Sequence, residues 1–76
     1  MSIATQIENA ISDSIQANQT ADIYVVGDKA EVLAAVRMAP ITCIAGVETT
    51  PRPSGCLIQI AGWTGDKMWT IAVRIK

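Results

Sequence analysis

Residues 56–76 read CLIQIAGWTGDKMWTIAVRIK, and they decide the fold. Cys56, Ile58 and Ile60 alternate with Leu57, Gln59 and Ala61. Further on, Trp69, Ile71, Val73 and Ile75 alternate with Thr70, Ala72, Arg74 and Lys76. A period of two sustained over this length marks strands with one buried and one partly wet face. The break at 62–67 holds two glycines and an aspartate, which makes the stretch a β-hairpin. Parity places Trp69 with the core residues Ile71, Val73 and Ile75. Trp63 falls on the opposite face with Leu57, Ala61, Met68 and Ala72, bordered by Gln59, Thr70 and Arg74. A two-residue turn at Gly65-Asp66 sets Trp63 directly across from Met68.

Upstream, residues 2–17 carry Ile3, Ile7, Ile11 and Ile15 at steps of four, with Ala4 and Ala10 beside them. Glu8, Asn9, Ser12, Asp13 and Gln16 fall on the other side. This pattern predicts an amphipathic helix of about four turns, capped by Ser2 and ended by Asn18-Gln19-Thr20. Ile23-Tyr24-Val25-Val26 predicts a short strand buried on both faces. Asp28, with Glu31 three residues on, opens a second helix over 29–38 with Val32, Leu33, Ala35 and Val36 inward; Pro40 stops it. A strand at 41–47 and a stiff, two-proline loop at 48–55 lead into the closing hairpin.

The expected fold class is therefore α+β, a single small domain over residues 1–76. Its element order is α-β-α-β-β-β, a two-layer sandwich of a mixed four-stranded sheet with two helices on one face. The strand–helix–strand unit implies two parallel strands, and the last three strands an antiparallel meander. In size and layout the chain is similar to small phage or mobile-element assembly proteins, a likeness that no motif carries.

Composition narrows the function classes. At 76 residues such a chain buries only about 60–65% of its unfolded surface, which leaves one core little margin. Half the residues are hydrophobic and only 17% are charged, a balance that favours homo-oligomers. Seven acidic and six basic residues are scattered without a cluster, so no nucleic-acid footprint is present. No apolar run is long enough to cross a bilayer, and the start carries no secretion pattern, so no membrane association and a cytoplasmic location are expected.

Chemistry is sparse. Histidine is absent, which removes the commonest general base and metal ligand. Cys43 and Cys56 lack the spacing of a zinc site and lie in apolar stretches, so both read as reduced core residues. With the 48–55 loop as connection, Cys43 falls opposite residue 59 or 60, beyond disulfide reach of Cys56. Asp28 and Glu31 read as a helix cap, and Gly27 is no glycine-rich phosphate loop. The expectation is a protein that is not an enzyme, with no catalytic residues, no metal and no cofactor.

What remains is surface. An exposed Trp63 beside Met68 and Leu57 on a face with few charges predicts a contact patch, and the rigid Pro51-Arg52-Pro53 segment is a second surface candidate that presents Arg52 to a partner. The expected function is a small interaction or structural protein that self-associates through an apolar sheet face or edge, with a protein partner as a further possibility. The alternative is a small-molecule module with a pocket lined by Tyr24, Trp63 and Met68.

Overall fold

The computed structural model describes residues 2–38 and 42–75. Helix α1 (Ile3–Ala17) starts where the Thr5 N–H donates to the Ser2 side chain at 3.2 Å. It ends at Asn18, whose left-handed backbone (φ 55°) lets its N–H reach the Ser14 carbonyl. Both ends match the expected caps. The buried stripe is Ile7, Ala10, Ile11 and Ser14, with Ile3 and Ile15 partly covered. Ala4 stays exposed. Steps of four advance the stripe by about 40° per turn, so positions three residues on, Ala10 and Ser14, complete it.

Strand β1 (Ala21–Val25) pairs in parallel with β4 (Lys67–Ile75), in register from Ala21 opposite Ile71 to Val25 opposite Ile75. Full burial was the expectation for 23–26, and it fails. Tyr24 and Val26 are exposed, because β1 is a sheet edge whose outer face no layer covers and Val26 lies beyond its end. Helix α2 (Lys29–Arg37) begins with the Glu31 N–H donating to Asp28 Oδ1 at 2.9 Å, and buries Val32 and Val36. The expected stop at Pro40 lies outside the described residues.

Strands β2 (Thr42–Arg52), β3 (Gly55–Thr64) and β4 form the antiparallel meander. The sheet order is β1-β4-β3-β2. Following the pairings across, β1 and β2 run parallel, as expected, but stand at opposite edges with two strands between them. The core gathers Ile7, Ile11, Val32 and Val36 from the helices onto Ile58, Ile60, Trp69, Ile71 and Val73 from one sheet face. Both helices therefore lie on that face.

The two hairpins differ in how far their sequence signals hold. The β3–β4 turn is Gly65-Asp66, closed by Thr64 opposite Lys67, with Gly65 at φ 63°. The β2–β3 connection corrects the expected 48–55 loop. Strand pairing continues through Glu48, Thr49, Thr50, Pro51 and Arg52, leaving only Pro53-Ser54 in the turn. Pro51 fits because β2 is an edge strand, where a missing N–H is tolerated. A bulge between Ile44 and Gly46 shifts the register, so Cys43 faces Trp63 and Cys56 faces Pro51. The two cysteines are free and stand on opposite faces of the sheet. Cys43 is exposed and not in the core, again because β2 is uncovered.

One buried hydroxyl ties the layers together. Ser14 Oγ accepts the Thr70 N–H at 3.0 Å and donates to the Gln19 carbonyl at 2.7 Å. Ser14→Ala leaves both part-buried backbone groups without this partner. The expected loss is about 2 kcal/mol, read as a lower urea midpoint at unchanged slope.

Candidate interaction surface

The outer sheet face carries no helix, and its rows follow directly from the register. At one end Cys43, Trp63 and Met68 lie side by side across β2, β3 and β4. At the other end Tyr24, Arg74, Leu57 and Thr50 form a row across all four strands. Small residues fill the middle: Ala61 beside Thr70, and Gln59 between Ala72 and Glu48.

Trp63 is 44% exposed and Met68 64%, so the pair expected from parity stands open to solvent. The hairpin tip with Pro51 and Pro53 is at the far end of β3, so those prolines do not cover Trp63. Leu57 is not part of the Trp63–Met68 patch. Six residues of strand, about 20 Å, separate Leu57 from Trp63. It is half-buried and shares a shallow hollow with Arg52, Tyr24 and Arg74. The expected patch thus divides: Trp63 stays with Met68, while Leu57 lies with Arg52 of the second surface candidate. The same spacing parts Tyr24 from Trp63 and Met68, because its partner Arg74 stands six positions after Met68 on β4. These three residues line no common cavity among the described residues.

Strand β2 is the feature that sequence reasoning did not single out. Residues 43–52 are all exposed, on both faces and along the free edge. Parity puts Ile44, Val47, Thr49 and Pro51 on the helix side, opposite Gly62, Ile60, Ile58 and Cys56. Ile58 and Ile60 are fully buried, yet Val47 is 40% and Ile44 36% exposed one strand away. Helix α1 reaches β1, β4 and α2, and the helix layer stops short of β2. An eleven-residue strand with an unpaired edge is an open template for another strand.

Charge on this surface is light. Arg74 lies 4.0 Å from Asp22 and 5.7 Å above the Tyr24 ring. Among the described residues no three His, Cys, Asp or Glu side chains gather in a way that could hold a metal ion. No described helix is long and apolar enough to cross a membrane. No protein-family model, curated protein or solved structure matches the chain.

Proposed function

We propose that the protein is a non-enzymatic interaction module that self-associates, with β2 pairing antiparallel to β2 of a second copy. The observation that carries this reading is that residues 43–52 are all exposed while Ile58 and Ile60 of the neighbouring β3 are fully buried. Pairing two such edges makes one continuous eight-stranded sheet from two four-stranded ones. It satisfies the edge N–H and C=O groups and brings Val47 and Ile44 under cover. The bulge near Ala45 and the missing N–H of Pro51 bracket the pairing stretch, leaving residues 46–50 as its centre. The Trp63–Met68 corner adjoins β2 through Cys43 and adds an aromatic anchor at the margin.

Sedimentation velocity over a concentration series tests this. The wild-type chain is expected to form a dimer. Val47→Lys places a charge in the seam, and Trp63→Ala removes the anchor. Each is expected to weaken association by about 2 kcal/mol, roughly thirtyfold, without unfolding the monomer. A wild-type chain that stays monomeric into the hundreds of micromolar contradicts the reading. So do variants that associate as the wild type does.

A further inference from the structure

The hollow at the Tyr24 end of the outer face has a composition unlike the rest of the surface. Arg52 reaches it from the end of β2, Arg74 from β4 and Tyr24 from β1, with Ser54 of the tight turn at its rim and Cys56 and Leu57 in its wall. Two of the chain's three arginines therefore converge on one concavity of about 170 Å³, in a protein whose net charge is −1. No carboxylate lines it among the described residues. Among the described residues Arg52 has no ion-pair or hydrogen-bond partner there. Asp22, 4.0 Å from Arg74, is well exposed, and such a contact holds a guanidinium only weakly.

Arg74 is nevertheless oriented. Its guanidinium carbon lies 5.7 Å from the Tyr24 ring centroid, within cation–π range, and its N–H groups can still serve an acceptor in the hollow. Two guanidinium groups and the Ser54 hydroxyl lining one hollow match the oxygens of a phosphate or carboxylate. Leu57, on the same outer face, suits a short hydrocarbon or aromatic portion attached to that group. The volume is that of about five or six waters, room for an anionic headgroup and little more.

We propose that this hollow binds the oxyanion group of a small amphiphilic ligand, with Arg52 and Arg74 as its two cationic contacts. The site lies within one chain, so it does not depend on the self-association proposed above.

Tyr24 is the single tyrosine of the chain, so its ring resonances are assigned without ambiguity; it also borders a second hollow with Gln6, Asn9, Asp22 and Ile23, and the arginine variants below tell the two apart. Phenyl phosphate and benzoate are titrated separately into the ¹³C-labelled protein, with phenol as the uncharged control and sodium chloride matching ionic strength. At least one of the two anions is expected to shift the Tyr24 ring signals saturably, with half-saturation at or below about 1 mM. The tighter of the two identifies the preferred headgroup. Arg52→Gln and Arg74→Gln are each expected to weaken that binding about tenfold or more, while the dispersed Trp69 signals show the fold intact. Arg74→Lys is expected to keep the charge but lose affinity, because an ammonium does not offer the planar fork. The proposal is overturned if neither anion saturates by roughly 10 mM, about −2.7 kcal/mol. It is equally overturned if phenol binds as well as the anions, or if the glutamine variants bind as the wild type does.

Discussion

Gly62→Ala is expected to remove a large part of the protein's stability, although it adds a single methyl group. A Cβ at this position falls against the carbonyl oxygen of Cys43 and 2.7 Å from Trp69 Cζ2. Gly62 is buried in the centre of the sheet, opposite Trp69 on β4 and Ile44 on β2. The indole ring lies across the backbone that the missing side chain leaves open. Neither obstacle yields cheaply: one is backbone of the neighbouring strand, the other a ring buried in the core. Overpacking of this kind costs about 3 kcal/mol or more. A chain this short has a total stability of about 4–11 kcal/mol. Circular dichroism of Gly62→Ala should show a melting midpoint lowered by well over ten degrees, or no folded baseline at all. A midpoint within a few degrees of wild type would mean that the β2–β3 spacing at this end is looser than described.

The second large effect is expected at the ring that occupies this space. Trp69 is 1% exposed and is the largest buried side chain in the core. Trp69→Ala leaves a cavity between the sheet and the helix layer, with an expected cost of about 3–5 kcal/mol. Trp69→Phe is the informative companion. The buried indole Nε1 has no hydrogen-bond partner among the described residues, so the wild-type core carries the cost of an unsatisfied donor. Removing that donor offsets much of the lost volume, and Trp69→Phe is expected to lose less than about 1.5 kcal/mol. Urea titrations of the two variants check the contrast. A phenylalanine variant as weak as the alanine variant would mean that the indole itself, and not ring volume, is required at this site, which contradicts the account.

How much of this was legible in the sequence depended on burial. The β3–β4 hairpin, its Gly65-Asp66 turn and the Trp63–Met68 pairing could be read because one face is packed, and packing imposes the period of two. The helix starts could be read because Ser2 and Asp28 are the residue types that satisfy free N–H groups. The end of β2 could not. Glu48-Thr49-Thr50-Pro51-Arg52 has turn-like composition, and an edge strand with both faces wet is under no pressure to alternate. The bulge near Ala45 leaves no signal either, so the facing of Cys43 was misplaced. Tyr24 misled in the opposite direction. An apolar run such as Ile23-Tyr24-Val25-Val26 looks buried until the strand order shows it at an edge. The meeting of Arg52 with Arg74 depends on a two-residue Pro53-Ser54 turn, which the two prolines disguised as a longer loop.

The central claim concerns the free edge of β2, and amide hydrogen exchange reads that edge directly. In an isolated chain, β3 protects alternate amides of β2 and the remainder face water. With self-pairing through residues 46–50, the outward amides of this stretch gain protection as protein concentration rises, while those of β4 stay unchanged. That concentration dependence, localised to β2 and lost in Val47→Lys, is the expected result. Outward amides of β2 that exchange at the same fast rate from micromolar to near-millimolar protein would contradict the account.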